Sequence, residues 1–583
     1  MIRKAICVAL LAGASFTIKA APYDIVILGG TPGGIMAAIE AARMGKSVVV
    51  LERYDRIGGL PANGLGATDI ATRGATTGLF SEFTNAVKQY YIDTYGEDSQ
   101  QVKDCSDGFH FEPKVAGFVF NRMLEPYDSL IDVMTMRQFN FTPEDISMTE
   151  DGRHINSITV VDRTTGQPET YEGKVFIDAT YEGDLGAAAR VPYRIGREAA
   201  WEFDEPGAGE VYEYWKSTPA EGTTGAPDNA VQAYNYRLSL TNDPAQRVPF
   251  PKPSNYNREE FASLVEDVWT GRHTWKAMQD VTPEMMEANR RHLLNGGERS
   301  ITPWDSWGIE KIVSYNTVPN GKVDANNQHS AFISTDLPEE NWPWPTSSWE
   351  WRDRFAGRLK DYTLGLLYFA ANDTALPPQF RKAVSEWGLP STEYEDNGFF
   401  PRQVYVREGR RFEGMYFFTA KDALPVEEGG RPPVHPQSIT ASHYALDSHA
   451  ARKREEGRAH LDGFISYPTA VYTVPYGVIV PKEVDNLLLP VPVSGSHIGF
   501  STLRMEPCWM ALGQAAGAAS AIAIDSNEPV QNIDITRLQN RLLEEKATLY
   551  YYDNLTPDAP DWKEAQLKGL AGENSAWNYK GRN

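Results

Sequence analysis

Four glycines close to the start of the chain are the residues that most clearly indicate a function. They lie in Gly29-Gly30-Thr31-Pro32-Gly33-Gly34, between the apolar segment Tyr23–Leu28 and a run of small, helix-forming residues. Gly29 permits a tight turn, and Gly34 lets the following helix lie close to the preceding strand. The N-terminus of that helix directs N–H groups towards an anion, so this order predicts a diphosphate site. Thr31 stands where a second glycine is usual, and its hydroxyl can donate a hydrogen bond.

A carboxylate completes this pattern. The second apolar segment, Ser47–Leu51, ends at Glu52, where the ribose hydroxyls of an adenosine are expected, and Arg53 follows it. The order of these elements predicts a dinucleotide-binding βαβ unit: a strand, a glycine turn, a helix, a second strand and an acidic terminus.

The sequence after Glu52 favours FAD over NAD. Gly58-Gly59 begins a glycine-rich loop, where backbone can pass close to a long ribityl-diphosphate chain. Further βαβ repeats, typical of a nicotinamide domain, do not follow. The chain instead returns to apolar strands twice, at Lys174–Asp178 and Asn486–Val491, and the second return precedes a small-residue helix over Met510–Ile524.

These elements predict an α/β protein. We expect a Rossmann-like FAD-binding domain with a three-layer arrangement around a parallel sheet, and an inserted, aromatic-rich α+β substrate lobe. Most of the 14 tryptophans lie between Trp215 and Trp387; they can stack on sugar rings, although a core position is the commoner role. The expected divisions are a signal peptide (1–20), the first part of the FAD domain (22–200), the lobe (201–470), the last part of the FAD domain (471–530) and a C-terminal extension (531–583).

Five sequence strings resemble a known family. GGTPGG, GGL, IDATYEGD, PRQVYVREGRR and STLRMEPCWMALGQAAGAA are similar to FAD-dependent oxidoreductases of the glutathione-reductase-like flavoprotein class, some of whose members carry the name xanthan lyase. The resemblance implies that Asp178–Asp184 closes over FAD. It also implies that Ser494–Glu506 passes the isoalloxazine, with the next helix directed at its pyrimidine end. It adds to the predicted FAD-binding residues Asp178, Thr180, Gly183, Asp184, Thr502, Leu503, Arg504 and Met505.

Histidines provide the candidate bases. Oxidation of an alcohol or amine by flavin needs a group that takes a proton as hydride leaves, and histidine suits this near neutral pH. We predict His449 first, His497 second and Glu506 as a carboxylate alternative, with Asp447 able to orient a histidine. Each can equally be a core residue with all of its hydrogen bonds satisfied.

Arginines provide candidate anion-binding groups. Arg402, Arg407, Arg410 and Arg411 surround Tyr405. On a strand, Arg402 and Arg407 would face opposite ways, so they cannot all line one pocket. Arg402 is included in the predicted catalytic site because an arginine near flavin can hold a carboxylate or stabilise reduced flavin. Taken singly, each is expected to be a surface ion-pair member.

The N-terminus and the composition indicate an exported protein. Arg3 and Lys4 precede the apolar run Ala5–Ala12, which is too short to span a bilayer. Cleavage can follow Ala14 or Ala20. We therefore expect a secreted or periplasmic protein with no integral membrane segment after signal removal. A formal net charge of -22 argues against nucleic-acid partners.

Covalent modifications follow from an exported location. Asn140, Asn372 and Asn554 lie in glycosylation sequons, which predict a glycoprotein in a eukaryotic host. Cys105 and Cys508 form one disulfide or remain two buried thiols. No spacing indicates a metal site.

Together these features predict a secreted FAD-dependent dehydrogenase or oxidase that removes hydride from a small hydroxylated or amine substrate, with O₂ as one possible acceptor. Two alternatives remain at this point: a flavin-containing lyase or isomerase acting on a carbohydrate, and a non-catalytic carbohydrate-binding flavoprotein. Substrate identity, oligomeric state and covalent FAD attachment are left open by the sequence.

Overall fold

The computed structural model describes residues 18–19, 22–209 and 222–573. The predicted signal segment, apart from Ile18–Lys19, and Trp215 lie outside these residues. The strands are β1 (Ile18–Lys19), β2 (Tyr23–Leu28), β3 (Val48–Leu51), β4 (Ile131–Met134), β5 (Arg137–Gln138), β6 (Ile146–Met148), β7 (Ile155–Asp162), β8 (Pro168–Asp178), β9 (Tyr193–Arg194), β10 (Leu238–Thr241), β11 (Arg247–Val248), β12 (Val313–Val318), β13 (Lys322–Asn327), β14 (Leu389–Pro390), β15 (Arg411–Phe412), β16 (Ser438–Ser442), β17 (Leu446–Ser448), β18 (Ile465–Tyr467), β19 (Tyr472–Pro475) and β20 (Leu487–Leu488).

The α-helices lie on both sides of the insertion and within it. They are α1 (Pro32–Arg43), α2 (Gly59–Ala62), α3 (Leu79–Tyr95), α4 (Gln100–Asp104), α5 (Pro113–Leu124), α6 (Asp184–Ala188), α7 (Ala200–Phe203), α8 (Ser263–Thr270), α9 (Pro283–Leu294), α10 (Trp349–Asn372), α11 (Pro378–Ser385), α12 (Ala420–Ala423), α13 (His497–Leu503), α14 (Glu506–Ser526), α15 (Ile535–Glu544) and α16 (Trp562–Leu570).

A parallel sheet forms the centre of the molecule, in the order β4-β3-β2-β8 with β20 on the far side of β8. The end of β2 at Leu28 is paired with Leu51 of β3 and with Asp178 of β8. Because parallel strands end at the same edge, the glycine turn, Glu52 and the segment after Asp178 are brought together.

The sheet is covered on both faces, which explains why β2 is a continuous apolar run. Ile25 and Ile27 belong to one cluster with residues of α1 and α14, whereas Val26 and Leu28 belong to a second cluster with residues of β7 and β8. The prediction of a three-layer, Rossmann-like α/β domain is confirmed. The predicted strand Tyr23–Leu28 has the expected bounds, but only Leu487–Leu488 of the predicted Asn486–Val491 strand is paired.

Helices α1 and α14 pack backbone against backbone. A Cβ atom added to Gly513 would lie 2.0 Å from the carbonyl oxygen of Gly33, and one added to Gly517 would lie 2.2 Å from that of Ala37. Within the described part of the chain, α14 alone is long and apolar enough to span a membrane. It is buried almost entirely within the protein, as expected for a core helix of this composition.

The inserted lobe contains the antiparallel sheet β10-β13-β12 and the helices α8 to α11. Trp344 and Trp349 are buried in the lobe, whereas Trp304 is exposed. These buried tryptophans have the core role that is the commoner one for this residue. Strand β9 pairs with β15, and β16 pairs with β19. Both pairs cross the predicted lobe boundaries, which stay predictions.

The C-terminal extension packs against the FAD domain. Arg541 of α15 donates to the buried Glu40 of α1 over 2.7 Å, and α15 also packs against α14. Cys105 and Cys508 are both buried and both free, so the alternative of two separate thiols holds.

Gly513→Ala is expected to separate α1 from α14 and to destabilise the protein by about 1 to 3 kcal/mol, because the added methyl group meets backbone that cannot rotate away. Gly357→Ala in α10 is the matched control: a Cβ there meets nothing within 4 Å, and alanine favours helix by up to about 1 kcal/mol. Urea unfolding of both variants measures the difference. Equal stabilities would contradict close packing of the two helices.

Candidate active site

The glycine turn is held by contacts that only glycine allows. Gly29 has a φ of +102°, and a Cβ on it would lie 2.8 Å from the backbone of Ala179. A Cβ on Gly34 would lie 2.0 Å from the carbonyl oxygen of Gly29. Thr31 caps α1 by accepting from the Gly34 N–H, and its hydroxyl donates to the Ala179 carbonyl over 2.7 Å. The Thr31 hydroxyl therefore connects the turn to β8 instead of facing a phosphate.

Glu52 ends β3 beside this turn. Its carboxylate accepts hydrogen bonds from the N–H groups of Gly30 (2.7 Å) and Tyr54 (2.8 Å). Burial raises the pKa of Glu52 to about 7. The carboxylate thus lies against the turn at the place where the adenosine ribose was predicted.

A cavity opens at these strand ends. Arg53 lies over the ring of Trp349, with its guanidinium carbon 4.0 Å from the ring centroid, and forms two hydrogen bonds with Asp353. The cavity walls include Gly29, Thr31, Glu52, Arg53, Tyr54, Phe139, Thr180, Tyr181, Asp184 and Trp349. The helix N-terminus and the carboxylate fit the diphosphate and the ribose of FAD.

The segment after β8 is held by two buried aspartates. Asp178 accepts hydrogen bonds from the backbone and hydroxyl of Thr180 and from the N–H groups of Leu185 and Gly186; burial raises its pKa to about 6. Although burial opposes it, Arg352 holds the pKa of Asp184 below its usual range. Of the predicted residues in this segment, Thr180 and Asp184 line the cavity, whereas Asp178 shapes the loop.

The second glycine pair, Gly58-Gly59, lies near the start of α14, and Tyr181 connects the two. Gly58 has a φ of +104°, and a Cβ on Gly59 would lie 2.4 Å from the Tyr181 hydroxyl and 2.8 Å from Pro32. Tyr181 donates to one oxygen of Glu506 over 2.6 Å. The other Glu506 oxygen is buried and has no hydrogen-bond partner among the described residues. Burial raises the pKa of Glu506 to about 8, so this side chain is mainly a neutral acid at pH 7.

The segment before α14 differs from expectation. The segment before the predicted last helix is itself helical: His497–Leu503 is helix α13, so Arg504 and Met505 join two helices. The predicted start of the last helix at Met510 was also too late, because α14 begins at Glu506. Arg504 donates to Asp447 (2.8 Å) and to the Tyr405 hydroxyl (2.8 Å).

His449 is buried between two carboxylates. Its Nδ1 lies 2.9 Å from Asp336 and its Nε2 lies 3.5 Å from Asp447. Although burial opposes it, the charge of His449 keeps the pKa of Asp447 well below its usual range, and Arg407 does the same for Asp336. Asp447 is thus beside the histidine that it was predicted to orient, but neither ring nitrogen of His449 is free.

His497 has both ring nitrogens engaged as well. Nδ1 lies 2.8 Å from Glu408 and Nε2 lies 3.0 Å from the Ser448 hydroxyl. Although Glu408 is buried, His497 and Arg411 lower its pKa to about 2. These contacts describe a satisfied buried histidine.

The four arginines around Tyr405 separate in the structure. Arg402 pairs with the exposed Asp396, and its place in the catalytic site stays a prediction. The expectation of surface ion pairs is wrong for the other three. They are buried, each with its own carboxylate: Arg407 with Asp336, Arg410 with Asp184, and Arg411 with Glu198. Their segment is not the expected strand, because β15 is only Arg411–Phe412.

Sequence reasoning missed His329. Its ring lies 5.6 Å from that of His449 and 5.5 Å from that of Phe464. Burial, with the neighbouring charge of His449, lowers the pKa of His329 to about 4, and its Nδ1 is buried without a partner among the described residues. It follows β13 in an irregular segment, where neither spacing nor motif distinguishes it.

A cavity of about 580 Å³ lies beside this pair of histidines. His329 and Asp336 form part of its wall, together with Phe332, Tyr362 and Phe464. The cavity is large enough for a small organic molecule. His329 therefore presents a neutral imidazole to a space that can hold a substrate.

A continuous set of contacts connects the glycine-rich loop with this region. A Cβ on Gly64 would lie 2.5 Å from the Arg237 carbonyl oxygen. The Tyr405 ring centroid lies 5.9 Å from the guanidinium carbons of both Arg237 and Arg504. Because Arg504 also binds Asp447, the loop predicted near the ribityl-diphosphate chain and the segment predicted near the isoalloxazine are both linked to the histidines and the cavity.

Among the described residues, no group of three or more His, Cys, Asp and Glu side chains is placed to hold a metal ion. Asn372 and Asn554 are exposed and Asn140 is half-buried. Glycosylation stays a prediction.

Comparison with known proteins identifies relatives. The model of a family described as FAD dependent oxidoreductase matches residues 24–542. Over 41 residues, 7% of this chain, the sequence is 51% identical to a soluble pyridine nucleotide transhydrogenase of Mycobacterium tuberculosis. That match spans only 9% of the relative's length, and the same holds for the Mycobacterium bovis protein of that name.

Solved flavoprotein structures are similar over smaller parts of the chain. The L-proline dehydrogenase of P. horikoshii is 14% identical, with 29% of this chain and 24% of that chain covered and a TM-score of 0.17. The glycerol-3-phosphate dehydrogenase of Bacillus halodurans, complexed with FAD, is 10% identical, with coverage of 29% and 37% and a TM-score of 0.21.

Glu506→Gln is expected to change how stability depends on pH. The folded protein holds the Glu506 proton up to about pH 8, whereas the unfolded chain releases it near pH 4.5. Wild-type stability is therefore lost as pH rises between these values, and the variant escapes this loss. Relative to wild type, Glu506→Gln should gain roughly 1 to 3 kcal/mol between pH 5 and pH 8.

Urea unfolding at several pH values measures this difference. Glu564→Gln, at an exposed position on α16 beside Lys568, is the matched control and should show no comparable gain. A pH-independent difference for Glu506→Gln would contradict a neutral Glu506.

Proposed function

Because the chain belongs to the FAD dependent oxidoreductase family, we propose that it removes a hydride from a small hydroxylated or amine-bearing substrate in the cavity beside His329. FAD, when bound, supplies the hydride acceptor. The observation that carries the proposal is the neutral, half-buried His329 on the wall of a cavity that a charged network connects to the α13–α14 turn. The family favours an oxidoreductase over the lyase and the non-catalytic alternatives.

Oxidation of an alcohol or amine releases a hydride from carbon and a proton from oxygen or nitrogen. His329 is the proton acceptor in our proposal because it is uncharged at neutral pH and forms part of the cavity wall. Asp336 and Asp447 are close enough to raise its pKa. They would therefore stabilise the charge that His329 gains.

His449, the first candidate from sequence, has a different role in this proposal. Its two nitrogens face Asp336 and Asp447, so it has no free position for a substrate proton. Its ring packs beside His329. It would act as a positioning residue that holds both carboxylates around the base.

His329→Gln is expected to slow substrate-driven flavin reduction by about 10²- to 10⁴-fold, because the proton acceptor is removed. FAD should remain bound, since His329 is not among the residues around the adenosine cavity. Anaerobic stopped-flow absorbance with a panel of alcohols, polyols, hydroxy acids and amines measures the rate. The wild-type rate should fall as pH drops through about 4, where His329 becomes protonated.

His154→Gln is the matched control. His154 is exposed and pairs with Asp485, so the variant should keep the wild-type rate. A His329→Gln enzyme with unchanged reduction rate would exclude His329 as the base. A wild-type holoenzyme that no member of the panel reduces would contradict hydride removal itself.

We also propose that the protein is exported, on the evidence of Arg3, Lys4 and the apolar run Ala5–Ala12. Expression of the full chain in its host should give a mature protein outside the cytoplasm that lacks about 14 to 20 N-terminal residues. Intact mass measurement of the extracellular or periplasmic fraction tests this. An uncleaved protein confined to the cytoplasm would contradict export.

A further inference from the structure

The cavity beside His329 has a strongly charged wall. Positive and negative side chains are equally represented, and the phenyl ring of Phe332 lies among them. The charged residues are Arg272, Arg358, Arg452, Lys453, Arg454, Glu260, Asp336, Glu340, Glu455 and Glu456. Which of these can bind a substrate depends on which charges the protein has already neutralised.

Two of the cations share one glutamate. Arg358 donates to Glu340 and to Glu260, over 3.0 Å in each case. Lys453 lies 2.7 Å from Glu340. A ligand anion would have to compete with these carboxylates for either cation.

Arg452 and Arg454 are neutralised by aspartates outside the cavity wall. Arg454 forms two hydrogen bonds with the buried Asp267, of 2.7 and 2.9 Å. Arg452 lies 3.2 Å from Asp228 and 3.0 Å from Asp462. A guanidinium with two of its three nitrogens bound to carboxylates has fewer N–H donors left for a ligand in the cavity.

Arg272 differs from the other cavity cations. Among the described residues, its guanidinium makes no hydrogen bond or ion pair, and its contact is with the ring of Phe332, 5.6 Å from the guanidinium carbon. The side chain is half-buried. It also lines a second cavity, of about 440 Å³, that adjoins the first at Arg272, Phe332 and Gly457, so a ligand can reach it.

We propose that the substrate carries a carboxylate group that pairs with Arg272. This rests on the proposed oxidation and names its substrate class: a small hydroxy acid or amino acid, with its hydroxyl or amine at His329 and its carboxylate at Arg272. Arginine presents two parallel N–H donors that match the two oxygens of a carboxylate. Phe332, held between Arg272 and Arg454, provides an apolar wall beside that pair.

The overall charge makes such a local cation necessary. With a formal net charge of -22, the protein repels small anions at a distance. An anionic substrate therefore needs a specific cation in the cavity, and among the described residues of its wall Arg272 is the one without a carboxylate partner.

The test compares matched acids and amides. Lactate and lactamide, and glycine and glycinamide, differ mainly in the carboxylate, and wild-type holoenzyme should bind the acids at least about tenfold more tightly. Acetate and benzoate, which offer no hydroxyl or amine for oxidation, should raise the thermal midpoint and compete with the acids. Arg272→Gln should abolish both effects and weaken acid binding about 10- to 100-fold, whereas Arg272→Lys should retain part of it.

Arg290→Gln is the matched control. Arg290 lines the second cavity but is paired with Glu266, so the variant should keep the preference for acids. Equal binding of acids and amides by wild type, or unchanged acid binding by Arg272→Gln, would overturn the proposal.

The two proposals fail in different ways. Flavin reduction by neutral alcohols or amines without any carboxylate preference would remove Arg272 from the site and leave hydride removal intact. Carboxylate binding that depends on Arg272, without flavin reduction by any member of the panel, would support the anion site and contradict the proposed oxidation.

Discussion

The close contact between α1 and α14 is the constraint on which the rest of the structure depends. Gly513 and Gly517 place the α14 backbone directly against Gly33 and Ala37. The two helices therefore begin near one another, at the edge where β2, β3 and β8 end. This brings the diphosphate turn, the Tyr181 loop and Glu506 into one region, although they are separated by hundreds of residues along the chain.

Buried ion pairs then connect the inserted lobe to this centre. Arg352 of α10 and Arg410 both bind Asp184 in the loop after β8. Arg407 binds Asp336 on the wall of the large cavity. Removing one partner of such a pair leaves an uncompensated buried charge, so each pair defines the relative position of the two segments that it joins.

The same interactions explain the states of the two neighbouring histidines. His449 lies between Asp336 and Asp447, whereas the half-buried His329 beside it contacts no carboxylate directly among the described residues. Thus His449 joins two carboxylates, and His329 is kept neutral at the cavity. Two histidines of the same chemistry acquire different roles because their electrostatic surroundings differ.

The local sequence was sufficient to predict the cofactor domain because the residues that indicate it lie close together in the chain. The apolar run Tyr23–Leu28, the glycine turn and Glu52 lie within 30 residues, and each has a backbone reason to be where it is. Thr31 was harder to interpret, since the acceptor of its hydroxyl, Ala179, is 148 residues away. The start of α14 was also placed late, although a glutamate and a proline in its first turn are typical of a helix N-terminus.

The sequence by itself determined the α/β class, the FAD-binding turn and the presence of an aromatic-rich insertion, because these depend on periodicity and on glycine spacing. Only the tertiary structure decided which polar residues meet: His449 between two carboxylates, Arg402 at the surface, and His329 at a cavity. Some of the deciding contacts are distant in the chain: Arg407 and Asp336 are 71 positions apart, and His449 and Asp336 are 113 positions apart. Burial and charge at those contacts, which no local pattern encodes, set the protonation states on which the chemistry depends.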